Sequence, residues 1–193
     1  MGIPLPGSDH PVAGKGQRSA QHLEELTSLV DGHIDLRESL AAAGRVPPID
    51  PSNSLTRIGV GSTKLRPLST TPAMAAVSSA LRLDLAAASD PGNFETAERA
   101  RAAAYLAALQ QTEPTPLSLG EEVTLLHAAM LGLLDEPIAQ AGADAAATEA
   151  VTRRVIEYVR QHEGATLDRI SESGLLSDGA KERLTTRIAE ALA

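Results

Sequence analysis

The strongest constraint on the fold is a helical hydrophobic period that begins after Thr71-Pro72 and continues towards Ala193. Apolar residues that recur at spacings of three and four lie on one face of an α-helix, and other helices must cover that face. This pattern predicts helices over 73–88, 94–110, 118–134, 144–162, 165–173 and 177–192. We therefore expect residues 73–193 to form a helical domain.

Local signals mark the ends of several of these helices. Ser118 and Glu121 have the spacing of a capping box, in which each side chain binds the backbone N–H group of the other residue. The sequence Asp135-Glu136-Pro137 is expected to end this helix because proline removes a backbone donor. Gly174 is expected to separate the last two helices, since glycine accepts the left-handed conformation that follows many helices.

The amino-acid composition agrees with packed helices. The chain has 33 Ala but only one Phe, two Tyr and no Trp, so Leu, Val, Ile and Ala must fill the core. This composition argues against a large β-sandwich. The absence of Cys excludes disulfides, thiolate catalysis and cysteine-based metal sites, and it agrees with a reducing compartment.

The first part of the chain has a different character. Residues 1–22 are rich in Gly, Pro and Ser and are expected to be a flexible lead-in. The apolar segments 26–30 and 33–36 flank Asp31-Gly32, a dipeptide that favours a tight turn, so the sequence predicts a β-hairpin of two short strands.

A short helix and an extended loop follow the predicted hairpin. Residues 37–43 favour a helix that Gly44 closes. Three prolines in the segment 46–51 exclude a helix there and predict extended backbone. This segment leads into a loop over 52–62.

Several functional classes are disfavoured by charge and hydropathy. A net charge of −8 gives no broad positive field, so nucleic acid is not an expected partner. The sequence has no charge-free apolar run near 18 residues and no signal-peptide pattern at its start, so no direct membrane insertion is expected. We expect a cytoplasmic protein.

The sequence carries no self-contained active site. It lacks the Gly-x-x-x-x-Gly-Lys-Ser/Thr phosphate loop, and neither Gly14-Lys15-Gly16 nor the segment 59–64 replaces it. The five histidines are scattered, so no metal site is predicted, and His127 beside an apolar stripe is expected to be structural. The acidic pairs Glu121-Glu122 and Asp135-Glu136 are interpreted as helix-end charges rather than catalytic carboxylates.

One motif resembles a known family. The segment from Pro47-Pro48-Ile49-Asp50 through Ser54 and Thr56-Arg57 is similar to the signature of the alpha and beta subunits of rotary ATP synthases, with Thr56 where that signature has Ser. Three later stretches favour the alpha subunit: Leu81 to Ala86, Pro116 to Val123 and Gly132 to Asp135. Upstream, Asp31-Gly32-His33-Ile34 lies where the family has an Asp-Gly-Gln-Ile hairpin, and the resemblance spans residues 26–193.

The resemblance implies a fold and a domain organisation. Residues 23–72 would be the C-terminal remnant of an α/β nucleotide-binding core, with short strands and a loop, and residues 73–193 would be the C-terminal helical domain. The fold class is therefore expected to be mostly α. The chain would be a divergent or truncated alpha-type piece that lacks the phosphate-loop core, and it would not hydrolyse ATP alone.

The resemblance also implies roles for residues of the loop. Arg57 matches the arginine that reaches in trans to the nucleotide on an adjacent beta subunit, and Ser54 matches a serine whose hydroxyl would support the loop. A guanidinium suits this task because it spreads charge over a planar fork of donors that fits phosphate oxygens. Taken without the resemblance, Arg57 is better interpreted as a loop arginine that pairs with a carboxylate such as Asp50.

A second, non-catalytic nucleotide site of the family is expected to be degraded here. Pro47 and Gln111 match two of its residues. Val46 stands where the family has an arginine, with Arg45 one position early, and Glu113 stands where it has a second glutamine. An added carboxylate near phosphate groups is unfavourable.

The resemblance finally implies partners and a ligand. ATP or ADP with Mg²⁺ would lie at the subunit interface of the full complex, and the partners would be a beta-type subunit and the central rotor shaft subunit. The assembled complex would be peripheral on the cytoplasmic face of a membrane and would move protons. Two alternatives remain open: a stand-alone helical interaction module or non-functional remnant, and a truncated secretion-type rotary ATPase.

Overall fold

The computed structural model describes residues 25–42, 44–50, 53–56, 71–78, 81, 95–111, 116–142 and 144–193, and the structural statements below concern these ranges. Helices dominate them, as the sequence predicts. The helices are α1 (25–29), α2 (Glu38–Ala42), α3 (Pro72–Ser78), α4 (Thr96–Ala108), α5 (Leu119–Met130), α6 (Asp135–Ala141), α7 (Ala145–Ser173) and α8 (Asp178–Leu192). The strands β1 (Gly32–His33) and β2 (Leu55–Thr56) are two residues long each.

The predicted helix ends at Ser118 and Gly174 are confirmed. The Ser118 hydroxyl accepts a bond from the N–H of Glu121, and the Glu121 carboxylate accepts one from the N–H of Ser118 at 2.8 Å. Gly174 follows α7 with a φ of 67°, and its N–H binds the carbonyl of Ile170. Local chemistry therefore defines these boundaries, because each bond joins residues three or four positions apart.

The prediction that Asp135-Glu136-Pro137 ends α5 is wrong. Helix α5 already ends at Met130, and these three residues form the first turn of α6. Proline is tolerated there because the first N–H groups of a helix have no intrahelical acceptor. The Asp135 carboxylate pairs with the Arg101 guanidinium of α4 at 2.9 Å, so α6 begins where an ion pair holds it against α4.

The predicted gap between helices 144–162 and 165–173 is a kink in one helix. Helix α7 is continuous over 29 residues, with non-helical angles only at Glu163 (φ −133°, ψ 25°). The Glu163 carboxylate accepts a bond from the Thr166 hydroxyl at 2.8 Å and lies 3.3 Å from the Arg183 guanidinium of α8. Both halves of α7 thus stay packed against α8.

The hydrophobic core lies among α3 to α8. Helix α7 packs against α5 and α8, α4 packs against α5 and α6, and α3 packs against α5. The predicted stripe residues Val123, Leu126, Val155 and Val159 are buried. The largest fully buried side chains come from five different parts of this region: Tyr105, Leu125, Leu134, Leu167, Ile170, Leu184 and Ile188.

The predicted hairpin over 26–36 is wrong. Residues 25–29 form α1, and β1 pairs antiparallel with β2, so that Gly32 lies opposite Thr56 and His33 opposite Leu55. Gly32 is not among the glycines with positive φ, so Asp31-Gly32 does not form the tight turn that its composition favours. Residues 32 and 33 therefore pair with a strand more than 20 positions away, and not with the neighbouring segment 26–30.

The other predictions for this region agree with the structure where it is described. Helix α2 forms within the predicted range 37–43, and Gly44 follows it with a φ of 77°. Residues 46–50 are not helical, and Ile49 forms an isolated antiparallel bridge with Leu36. Most of the predicted loop 52–62 and all of the lead-in 1–22 lie outside the described residues.

Candidate functional site

Ser54 lies in the turn that connects the extended segment 46–50 to β2. Its hydroxyl donates a bond to the Asp50 carbonyl at 2.6 Å, and its own N–H binds the same carbonyl at 3.0 Å. The Ser54 oxygen also accepts a bond from the N–H of Asp35 at 3.0 Å. The Ser54 hydroxyl therefore closes the turn and also binds it to the backbone of Asp35, two residues after β1.

Ionic groups reinforce this turn. The Arg37 Nε lies 2.8 Å from the Asp35 carboxylate and 3.4 Å from the Asp50 carboxylate. The Asp50 carboxylate also accepts bonds from the backbone N–H and the side-chain amide of Asn53, at 3.3 and 2.7 Å. His33 Nε2 lies 2.7 Å from the Asn53 carbonyl. We call this cluster of Asp35, Arg37, Asp50, Asn53 and Ser54 the loop anchor.

Arg57, the predicted trans-acting arginine, lies outside the described residues. The structure describes the chain up to Thr56, immediately before it, where β2 pairs with β1. Asp50, the alternative partner for Arg57, already contacts Arg37 and Asn53. The role of Arg57 therefore stays a prediction, and the structure describes only the backbone that leads up to it.

The segment containing Pro47 lies beside the end of α4. The N–H of Gln111 donates to the carbonyl of Val46 at 2.9 Å, which brings Gln111 next to Pro47 although the two are distant in sequence. The Gln111 amide donates to the Glu122 carboxylate at 3.0 Å. Glu113 lies outside the described residues.

A cavity of about 140 Å³ opens beside Pro47, and a larger one of about 320 Å³ includes Gln111. The two cavities share Gln110, so Pro47 and Gln111 line adjoining spaces rather than one site. The smaller cavity is mostly apolar. The larger one is lined by Glu149 and Arg153, whose side chains form an ion pair at 3.8 Å. The side chains of both residues are more than two-fifths exposed, so this pair contributes little to stability.

Arg45 is a candidate residue to which the sequence motif gives no role. It is half-buried, and it lines the cavity beside Pro47 together with Ile49, Leu106 and Leu109. Burial lowers the pKa of its guanidinium below the ordinary value, and the negative charge of Asp50 acts in the opposite direction. Its position directly before Val46 is the one signal in the sequence that could have indicated it.

The predicted structural interpretation of His127 agrees with its surroundings. His127 is 3% exposed, and its Nε2 lies 3.0 Å from the Thr185 hydroxyl of α8. Burial lowers the pKa of the imidazole, the Lys181 carbonyl raises it, and the Lys181 ammonium lowers it. Burial in this environment favours the neutral imidazole as a link between α5 and α8.

The paired carboxylates of α5 act in structural contacts. The Glu121 carboxylate binds Ser118 and lies 2.9 Å from the Arg160 guanidinium of α7. Burial raises the pKa of Glu121, but hydrogen bonds from Ser118 and Arg160 outweigh this effect and lower it overall. In the described ranges no three His, Asp or Glu side chains are grouped closely enough to hold a metal ion. None of the described helices combines the length and apolar character needed to cross a membrane.

Comparison with known proteins adds a relationship to this geometry. No protein-family profile matches the chain. The ATP synthase subunit alpha of Kineococcus radiotolerans is 31% identical over 82% of this chain, and that of Acidothermus cellulolyticus is 32% identical over 86%. The ATP synthase subunit alpha of Lawsonia intracellularis is 29% identical over 91% of the chain.

The matches cover only part of each relative. The alignments include 28%, 29% and 34% of the Kineococcus, Acidothermus and Lawsonia proteins, so the chain spans about a third of the length of the curated relatives it matches. Similarity along most of this chain, but along a minor part of each relative, is the pattern expected of a piece of such a subunit. The chain is thus similar to a part of ATP synthase alpha subunits.

Proposed function

We propose that the chain acts as the C-terminal, alpha-type part of a proton-translocating ATP synthase. The observation that carries this proposal is the similarity to ATP synthase alpha subunits over 82–91% of the chain. In this role the chain does not catalyse ATP synthesis or hydrolysis alone. It contributes one side of an interface to a beta-type subunit, on a complex that is peripheral on the cytoplasmic face of the membrane.

In this proposal Arg57 reaches the nucleotide that the adjacent beta-type subunit holds with Mg²⁺. Charge spreads over the γ-phosphate oxygens during phosphoryl transfer, and a guanidinium from a neighbouring subunit stabilises that charge. The planar fork of Arg57 donates two hydrogen bonds at once, whereas a lysine at this position would supply charge without the fork. Arg57 would therefore act on the rate of the chemical step rather than on the folding of its own chain.

The loop anchor supports this proposal through positioning. Ser54, Asp35 and Asp50 are joined by hydrogen bonds of 2.6 to 3.0 Å, and Arg37 bridges both carboxylates. Catalytic groups must be held within a narrow range of positions to be effective. Ser54 is thus proposed to support the loop that presents Arg57.

Pro47 and Gln111 are proposed as what remains of a non-catalytic nucleotide site. The Val46–Gln111 backbone bond holds their two segments together. The Gln111 amide, however, already donates to the Glu122 carboxylate. A second carboxylate, that of Glu113, lies two residues after Gln111 in the sequence. Such a charge pattern disfavours phosphate groups, and we therefore propose that this site binds nucleotide weakly or not at all.

The test is reconstitution with a beta-type subunit and the rotor shaft subunit. ATP hydrolysis by the purified complex is compared for the unchanged chain, Arg57→Ala, Arg57→Lys and the control Arg154→Ala, whose side chain is exposed on α7. We expect Arg57→Ala to lower turnover by about 10³-fold or more, Arg57→Lys to restore little of it, and the control to leave it unchanged.

Two outcomes would contradict the proposal at different points. Equal turnover of the unchanged and Arg57→Ala complexes would overturn the role of Arg57 while leaving the subunit assignment intact. A chain that stays monomeric and never joins the beta-type subunit would overturn the subunit assignment and favour a stand-alone helical module. Size-exclusion chromatography before the assay separates these two results.

A further inference from the structure

Arg45 lines two adjoining cavities, and its charge is partly removed from water. It is half-buried, yet none of the described residues provides its guanidinium with a hydrogen bond or an ion pair. Taking part of a charged group out of water costs free energy unless a partner compensates it. The other arginine of this region, Arg37, has two carboxylates as neighbours. Among the described residues, Arg45 is therefore a partly desolvated cation that Asp50 compensates only through its charge, without an ion pair.

The space beside Arg45 is large enough for a small ligand. A cavity of about 200 Å³ lies between α2, α4, α6 and α7, and it shares Arg45, Leu106 and Gln110 with the cavity beside Pro47. Neither Pro47 nor Gln111 lines it. It adjoins the space beside Pro47, but its remaining walls come mainly from α4, α6 and α7, through residues such as Ala103, Gly142 and Thr148.

The polar groups on these walls are suited to an anion. The Thr148 hydroxyl adds an uncharged donor to the Arg45 guanidinium, and so does the Gln110 amide, which also donates to the Gly44 carbonyl at 3.4 Å. Among the described residues that line the cavity there is no carboxylate.

The nearest acidic residue along the chain does not oppose this chemistry directly. Asp144 precedes α7 and does not line the cavity. Its carboxylate accepts bonds from the N–H groups of Ala146 and Ala147 at 2.9 and 3.3 Å, so it is bound to its own helix end. Asp50 interacts with Arg45 through its charge, but its carboxylate is bound by Arg37 and Asn53.

We propose that Arg45, with Gln110 and Thr148, forms a binding site for a small oxyanion in the cavity between α4, α6 and α7. The ligand class is phosphate or carboxylate, since both present oxygen pairs that match the donor fork of arginine. Binding places an oxyanion in contact with this guanidinium, with which none of the described carboxylates forms an ion pair. The site does not depend on the role of Arg57.

The test is isothermal titration calorimetry of the full chain with inorganic phosphate and, separately, with acetate, at constant ionic strength set by NaCl. Saturable binding of phosphate alone would identify a phosphate site, and binding of both ions a general oxyanion site. We expect Arg45→Gln to weaken binding at least about tenfold, because it removes a charge-assisted hydrogen bond. Arg154→Gln, at an exposed position of α7 that lines none of these cavities, is the matched control and should bind like the unchanged chain.

A second variant tests the cavity rather than the charge. Ala103 is exposed at the wall of the cavity, so Ala103→Leu adds three carbon atoms there without disturbing the buried core. We expect this variant to keep the circular dichroism spectrum and melting temperature of the unchanged chain and to lose phosphate binding. The absence of saturable binding of either ion, or equal binding by the unchanged chain, Arg45→Gln and Ala103→Leu, would overturn the proposal.

Discussion

The region 25–56 and the helical region 95–193 are stabilised by different interactions. In the helical region whole side chains such as Leu167, Leu184 and Ile188 are removed from water. Between residues 25 and 54 none of the described side chains is buried, and Leu29 and Ile34 are 80% and 69% exposed. Hydrogen bonds and ion pairs of the loop anchor hold this part together instead.

The difference between the regions has an energetic consequence. Burial of a large apolar side chain contributes about 1.5–3 kcal/mol, whereas a partly exposed ion pair contributes about 1 kcal/mol or less. We therefore expect the region 25–56 to open locally at a lower free energy than the helical region. The predictions that follow test this comparison, beginning with the largest expected effect.

The first prediction applies the same substitution to both regions. Leu184→Ala creates a cavity in the core under α8 and should lower the free energy of unfolding by about 2–5 kcal/mol. Leu29→Ala removes an 80% exposed side chain and should change it by less than about 0.5 kcal/mol. Urea unfolding followed by circular dichroism measures both values. Similar losses for the two variants would contradict the comparison.

The second prediction concerns the close contact of α5 with α7. A Cβ atom at Gly120 would collide with the backbone carbonyl of Leu167, so Gly120→Ala forces the two helices apart and should cost about 1–3 kcal/mol. Gly164→Ala is the control, because its Cβ would meet only the flexible Arg160 side chain at 3.9 Å. Thermal unfolding should show a lower melting temperature for Gly120→Ala alone, and an equal decrease for both variants would refute the packing argument.

The third prediction is a pH dependence that arises from His127. Its pKa in the folded state lies below the ordinary value of 6.5, so the unfolded chain binds more protons between these two values. Stability from this group is complete above pH 6.5 and is lost as the pH falls towards the folded pKa, by at most about 1.4 kcal/mol per pH unit.

The variant that tests this prediction is His127→Gln. Glutamine at position 127 keeps a donor for the Thr185 hydroxyl but does not titrate, so the fall in stability below pH 6.5 should become shallower. Denaturant unfolding at a series of pH values from 5 to 7.5 gives the slopes. A slope at His127→Gln equal to that of the unchanged chain would assign the effect to another group.

The smallest predicted effect lies in the loop anchor. Arg37→Met removes the bridge between Asp35 and Asp50 and should raise the exchange rates of the Asp50 and Ser54 amides, by up to about fivefold for a loss of up to about 1 kcal/mol. The amides of α7 and α8 should exchange as in the unchanged chain. Hydrogen exchange followed by NMR separates the two regions, and faster exchange throughout the helices would show that the regions unfold together.

The sequence predicted the helical region well because its signals act over short distances. The stripes through Val123 and Val155, the capping box at Ser118 and the end at Gly174 depend on residues within one or two turns. The two wrong predictions in this region, at the start of α6 and at the kink of α7, concern positions where a residue distant in sequence determines the local structure. Arg101 holds Asp135 at the start of α6, and Arg183 of α8 lies beside Glu163 at the kink of α7.

The region 25–56 was predicted less well for the same reason. Asp31-Gly32 favours a local hairpin, but Gly32 pairs with Thr56, and the apolar segment before it is helical. For the candidate site, the motif indicated Ser54, Pro47 and Gln111, and the structure describes the hydrogen bonds and cavities around them. The lack of an ion pair between Arg45 and the described carboxylates could not be predicted, because it depends on where several other elements place their charges.

The sequence by itself determined a predominantly helical chain, the ends of its helices at Ser118 and Gly174, and its similarity to part of ATP synthase alpha subunits. These properties depend on local geometry or on the order of residues. Tertiary structure decided the pairing of β1 with β2, the start of α6 and the burial of Arg45 beside a cavity. Each of these depends on the free energy of contacts between residues far apart in the chain, which no local pattern contains.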